Sequence, residues 1–352
     1  MIKVLGLSLY GSQAASHRVR LAQYRDGLER SEIRLEIQSL LDNNYLRQSF
    51  SGFRPSFESL LSAYWQRVGT LVRAGKFDIA IVYAELLPFV PGWVECCLLS
   101  RPFIYDLDDA FYLKYRSGRF RGLNFVLGSK CEYMIKRASA VTAGNTELAG
   151  FASRVNQRVT LLPSVVDTSH YLPAACKANS SFTVGWIGSP STAPYLQELV
   201  EPLEDLAQEM PVRLLVIGGK APKIAGVEVI ESPWNLTHEV ELIQQFDVGV
   251  MPLPDTDWTR GKCAYKLIQC MSCAIPVIAS NVGSNVDVVP KSSGILVGSS
   301  GQWLDGFRVL ANNPELRVCM GKCAREWVKR HYSLSVTTPL LASVIRKVYD
   351  EN

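Results

Sequence analysis

Histidine is scarce in this chain: 352 residues contain four, and none stands at metal-site spacing from a cysteine. A zinc site built on paired His and Cys is therefore not expected. No Gly-x-Gly-x-x-Gly follows a strand-like run, so the dinucleotide-binding fingerprint is missing. No apolar run approaches the ~18–20 residues of a membrane-spanning helix. The first nine residues are too short for a secretory signal, which points to the cytoplasm and leaves open a peripheral position at the inner face of a membrane. Charge excess is also small. A net +4 is too mild to argue for a nucleic-acid partner. The nine cysteines are odd in number and scattered, and Cys270 and Cys273 form a lone Cys-x-x-Cys inside an apolar helix-to-strand run. They read as reduced thiols, Cys176 among them, not as a disulfide framework.

What is present is a repeating alternation of short apolar runs and helix-spaced segments. Hydrophobic residues make up 47% and charged residues 20%, as in a soluble globular protein, and the length suits two domains at on the order of 150 residues each. Residues 3–9, 33–40, 78–83, 102–105, 140–145 and 159–162 read as buried strands. Helices are expected over residues 18–28, 53–73, 133–137 and from Glu147 onward. Residues 86–99 read as a Pro-interrupted apolar helical region that packs inward or rests on a membrane. The pattern restarts with strands at 182–187, 213–217, 227–230, 247–253 and 294–297, and helices at 195–207, 303–310, 315–330 and 337–349. Strand, Gly/Ser loop, helix is the unit of a doubly wound sheet, so the fold class is α/β with two Rossmann-like domains. The boundaries are 1–165, a hinge at 166–181, a second domain at 182–335, and a terminal helix at 336–352 returning to the first.

Carboxyl ends of parallel strands are where such folds place ligands. The run ending at Tyr105 delivers Asp106, Asp108 and Asp109 there. Carboxylates this close raise at least one pKa if buried. They can face a sugar, hold Mg²⁺, or cap the next helix. Arg18 and Arg20, after the first strand, either meet a phosphate or sugar or lie on the helix surface. Gly188 and Ser189, with Ser191 and Thr192, form a loop whose N–H and hydroxyl donors suit a diphosphate. Arg260, Lys262 and Lys266 stand just before and inside a helix over 264–272. Cations at a helix start add to its own preference for anions, although an ordinary solvated basic turn reads the same way. The helix stops at Pro276, and Val277, Ile278 and Ala279 form the next strand.

The run from Lys266 through Gln269, Met271 and Pro276 to Ser280 resembles the nucleotide-sugar site of retaining glycosyltransferases of the GT-B fold, group 1 or family 4-like, of bacterial polysaccharide type. Val282, Gly283, Asn285 and Asp287 resemble that family's Gly-rich turn and acidic residue, and Pro163 to Asp167 its interdomain segment. The resemblance covers nearly the whole chain. It implies two domains facing a cleft, closing on the donor, with a nucleoside-diphosphate sugar as donor and a glycan or lipid-linked acceptor. It implies no cofactor and no metal. Lys266 would contact the diphosphate, helped by Arg260 and Lys262. Asp108 or Asp109 would face the sugar, and Trp234 would stack on the base or simply pack. The family often carries two Glu separated by seven residues. Here Gly261 and Gln269 occupy those positions, and Gln269 can still hydrogen-bond a ribose hydroxyl without charge. A non-catalytic sugar- or nucleotide-binding subunit on the same fold, or an epimerase or phosphorylase, is the alternative.

Overall fold

A computed structural model of the chain describes residues 1–48, 56–174 and 181–352, with the backbone alone at 49–50. Cys176, the start of the helix expected from Phe53, and residues 175–180 of the expected hinge lie outside the described residues. The chain forms two compact units. The first is Met1–Ser164 with Gly261–Cys263 and Leu334–Asn352, and the second is Val165–Arg260 with Ala264–Ser333.

The first unit is built on a six-stranded parallel sheet: β1 (Ile2–Tyr10), β2 (Ile33–Leu41), β3 (Ile79–Tyr83), β4 (Phe103–Leu107), β5 (Ala140–Ala143) and β6 (Val159–Leu161), in the order β2-β1-β3-β4-β5-β6. Strands β3, β4 and β5 are buried along their whole length, which is why they read as continuous apolar runs and not as alternating ones. Register brings Tyr83, Asp106 and Thr142 into one row at the carboxyl edge. The helix Phe57–Val72 is N-capped by the Ser56 side chain, and Thr146–Ser153 by that of Asn145. The helix expected over 18–28 is broken. It runs Ala15–Arg20, then a 3-10 turn Ala22–Tyr24, then Arg25–Glu29. The break follows Arg20, whose side chain is drawn into the core. The terminal helix Leu334–Asp350 packs in this unit, where the Tyr24 hydroxyl donates to Thr337 Oγ1 at 3.2 Å.

The second unit carries β7 (Phe182–Ile187), β8 (Val212–Ile217), β9 (Glu228–Ser232), β10 (Val248–Met251), β11 (Val277–Ser280) and β12 (Gly294–Val297), ordered β12-β11-β10-β7-β8-β9 and all parallel. Its sheet is covered on both faces. Leu215 and Ile217 enter one buried cluster with Phe246, Leu267 and Ile268. Leu214 and Val216 enter the other with Trp186, Leu203 and Phe307. The period-2 alternation of a strand produces that split. Gly185 is required where β7 passes Phe246, since a Cβ there would lie 1.9 Å from the ring. The helix expected over 195–207 starts as a 3-10 segment, Ala193–Leu199, with Pro194 in its first turn, and becomes α-helical at Val200–Ala207.

Candidate active site

In the first unit the three carboxylates after Tyr105 separate into three roles. Asp106 is buried and accepts from Arg20 twice, Nε to Oδ2 at 2.9 Å and Nη2 to Oδ1 at 2.6 Å, and from Thr142 Oγ1 at 2.6 Å. Arg20 also donates to the Leu162 carbonyl at 2.8 Å. Burial alone would lower the Arg20 pKa, but the Asp106 charge outweighs it and raises it above its ordinary range. This fork-to-carboxylate pair ties β1's following helix to β4 and the end of β6, and with Thr142 it gives Asp106 three donors.

Asp108 lies beyond the strand end and accepts from the Tyr83 hydroxyl at 2.6 Å. Its pKa is pushed up to about 7, first by burial and next by the neighbouring Asp109 charge, with Arg20 and the Tyr83 hydroxyl opposing. Asp109 pairs with Lys262, Nζ to Oδ1 at 3.4 Å. Lys262 reaches it because Gly261–Cys263 belongs to this unit. The Asn145 amide donates to the Lys262 carbonyl at 3.1 Å, and the Cys263 thiol to the Asp108 carbonyl at 3.0 Å. The approach is close enough that a Cβ on Gly261 would lie 2.7 Å from that of Ala110, and one on Gly144 would lie 2.4 Å from Cys263 Sγ. Arg18 turns back on its own loop, donating from Nη1 to the Gln13 carbonyl at 2.7 Å.

In the second unit, Lys266 lies in the first turn of the helix Tyr265–Ser272, whose preceding residue Ala264 has a left-handed φ of 50°. A non-glycine residue held there stores strain of the kind that clusters at functional sites. The Lys266 ammonium sits 2.8 Å from Thr192 Oγ1 and 4.3 Å from the centre of the buried Trp186 ring. A Cβ on Gly188 would be 2.6 Å from Lys266 Nζ and 2.5 Å from Trp186, so glycine is needed for the ammonium to approach the loop 188–192. Ser189 and Ser191 hydroxyls share a 2.8 Å hydrogen bond beside it. β7 and β10 flank the point where strand order reverses, which is where doubly wound sheets bind ligands.

The other residues expected at the donor have different surroundings. The three cations of 260–266 do not act as one cluster. Arg260 is half-exposed and forks onto Asp255, at 2.7 and 3.0 Å, while Lys262 goes to Asp109 and only Lys266 to the loop. Gln269 is buried and donates from Nε2 to the Tyr171 hydroxyl at 2.9 Å. Tyr171 in turn donates to Glu239 at 2.6 Å, and Trp234 donates from Nε1 to the same carboxylate at 2.6 Å. Burial, then Tyr265 and Glu239, raise the Tyr171 pKa, so the hydroxyl stays protonated. Trp234 also packs against the second unit's core. Asp287 is exposed in the short helix Ser284–Val288. Sequence reasoning missed Tyr83, Glu239 and Tyr171: Tyr83 meets Asp108 across 25 residues, and Tyr171 meets Glu239 and Gln269 across 68 and 98. Among the described residues no group of three or more His, Cys, Asp or Glu is placed to hold a metal ion.

Residues 181–313 match the family model described as Glycosyl transferases group 1. No curated protein matches the chain. In three dimensions it is similar to sucrose-phosphate synthase of Thermosynechococcus elongatus, at 15% identity and TM-score 0.74 over 100% of both chains. It is likewise similar to Anabaena HepE in complex with UDP-glucose, at 14% identity and TM-score 0.67 over 99% of this chain and 100% of that one. A glycosyltransferase from Rickettsia africae superposes at 11% identity and TM-score 0.69, over 100% and 99%. The fold is GT-B, two Rossmann-like α/β domains. The chain carries a group 1 glycosyltransferase domain and is an enzyme of the glycosyl-transferring class.

Proposed function

We propose that the chain transfers a sugar from a nucleoside-diphosphate sugar to a glycan or lipid-linked acceptor, with retention and without a metal. The observation that carries this reading is the Lys266 ammonium held over the Gly188–Ser189 loop at the end of β7. Departure of a nucleoside diphosphate builds negative charge on its outer phosphate. A fixed ammonium with N–H and hydroxyl donors around it stabilises that charge without reorganising. Structural relatives bind this chemistry, since Anabaena HepE has been solved with UDP, with UDP and glucose, and with UDP-glucose.

Asp108 and Asp109 are assigned to the sugar. Cleavage of the sugar–phosphate bond leaves positive charge at the anomeric carbon, which an ionised carboxylate stabilises. Asp108, with a pKa near 7, is also able to hold a proton near neutral pH. Tyr83 positions it through the 2.6 Å hydrogen bond. Glycosidic bond formation releases the acceptor hydroxyl's proton, and the departing phosphate can take it.

The test is a panel of nucleoside-diphosphate sugars assayed for donor turnover with and without chelator, with the anomeric configuration of the product read by NMR. Turnover of one donor, unchanged by chelator, with the donor's own configuration in the product, is expected. Inversion would overturn retention, a chelator-sensitive rate would overturn metal independence, and no turnover of any donor with acceptor present would overturn the transfer reading.

A further inference from the structure

The first unit exposes an apolar and aromatic surface that neither its core nor the proposed chemistry uses. On the helix Phe57–Val72, Phe57 is 78% exposed, Leu61 48% and Trp65 68%. Spaced four residues apart, they lie within about 80° of one another around a helix of 3.6 residues per turn. The buried residues Arg67 and Leu71 lie outside that arc. Two contacts link this helix to further exposed aromatic residues. Tyr64, next to Trp65, donates its hydroxyl to the Pro88 carbonyl at 2.6 Å. Phe89 follows, half-exposed, in a left-handed φ of 60°, with its ring 5.1 Å from that of Phe120. Trp93 is 59% exposed at the start of the helix Gly92–Leu98. Beyond Phe120, Leu123 and Val126 are exposed and Phe125 is 98% exposed.

Charge selects the occupant. Residues 111–126 contain Lys114, Arg116, Arg119 and Arg121 and no Asp or Glu. Lys114 and Arg116 are paired, to Glu85 and Glu132, while Arg119 and Arg121 are exposed on either side of Phe120. We infer that this face docks on an anionic phospholipid surface. Phe125, Leu123 and Val126 would enter the headgroup–acyl boundary, Trp65 and Trp93 would sit at the interface as amphipathic rings, and Arg119 and Arg121 would meet lipid phosphates. A second copy of the chain fits less well, because a two-fold contact sets each patch against itself and would bring arginine against arginine. This inference does not rest on the transfer reading. No helix among the described residues is long and apolar enough to cross a membrane, so the contact is peripheral.

The experiment is co-sedimentation of the full chain with vesicles of phosphatidylcholine alone and of phosphatidylcholine mixed with phosphatidylglycerol. Binding to the mixed vesicles, weak binding to the neutral ones, and release by salt are expected. Arg119→Glu with Arg121→Glu should lower partitioning by about fivefold or more for each cation lost. Phe125→Asp should lower it at least tenfold at every salt concentration. All these side chains are exposed, so unchanged circular dichroism and melting temperature will show that the variants fold. Absence of binding to anionic vesicles at low salt, binding that none of these variants weakens, or a dimer in sedimentation velocity that Trp65→Asp abolishes would each overturn the inference.

Discussion

The two sheets gather opposite charges at their carboxyl edges. In the first unit the edge carries Tyr83, Asp106 and Asp108, followed by Asp109, and nearly every charge has a named partner: Arg20 for Asp106, the Tyr83 hydroxyl for Asp108, Lys262 for Asp109. In the second unit the edge carries glycine, serine and threonine, and its charge arrives from a helix 74 residues further on, as Lys266. The first arrangement fixes carboxylates and raises one pKa. The second leaves hydrogen-bond donors and one ammonium around a loop. A carboxylate edge suits a centre that becomes positive, and a donor-and-ammonium edge suits a leaving group that becomes negative. Each edge by itself suits the charge that the proposed chemistry would bring to it.

The largest effect expected is on the structural member of the carboxylate edge. Arg20→Ala leaves the buried Asp106 side chain with Thr142 as its remaining side-chain donor, and should cost ~3–5 kcal/mol in chemical denaturation. Arg20→Met combined with Asp106→Leu should recover much of that loss, since replacing both charges removes the unpaired one. If the single substitution were silent, Asp106 would not be held as described and would be available to ligand.

Asp108 gives a pH signature of the opposite kind to an ordinary salt-bridged carboxylate. Its folded pKa of about 7 lies above the ~3.9 of an exposed Asp, so the folded state binds its proton more tightly than the unfolded state does. Its ionisation costs no stability below about pH 4, and the cost grows as pH rises towards 7. Asp108→Asn keeps an acceptor for Tyr83 and should raise the melting temperature at neutral pH, with the gain fading towards pH 4, while turnover falls. A gain that grew on acidification would contradict the raised pKa.

The smallest effect belongs to Arg260. Its pair with Asp255 is open to solvent and screened by it, so Arg260→Ala should leave the denaturation midpoint nearly unchanged. A large loss of donor affinity in that variant would restore it to the phosphate site and blur the contrast with Lys266.

Much of this architecture is legible in one dimension. Strands 182–187 and 294–297 have the same bounds in the sequence reading and in the structure, because both are continuous apolar runs beside a Gly signal, the first buried along its whole length and the second at both ends. The site is less legible. Asp106, Asp108 and Asp109 look equivalent in sequence, and what distinguishes them is Arg20, Tyr83 and Lys262, at separations of 86, 25 and 153 residues. Arg260, Lys262 and Lys266 look like one cluster, but Gly261–Cys263 packs with the first unit, where Lys262 pairs with Asp109. Gln269 and Trp234 look like ligand contacts by position. Their polar atoms instead meet in a buried network through Tyr171 and Glu239, and no local pattern announces Glu239.

The assignment of the diphosphate to the second unit is tested most directly by calorimetric titration of a nucleoside diphosphate and its parent nucleoside into the protein and into Lys266→Ala. The ammonium donates to Thr192 in the loop that would cradle phosphate, so the substitution should weaken the diphosphate by ~10²-fold and leave the nucleoside's affinity unchanged. Equal loss for both ligands, or no loss for either in a variant with the parent's melting temperature, would contradict the account.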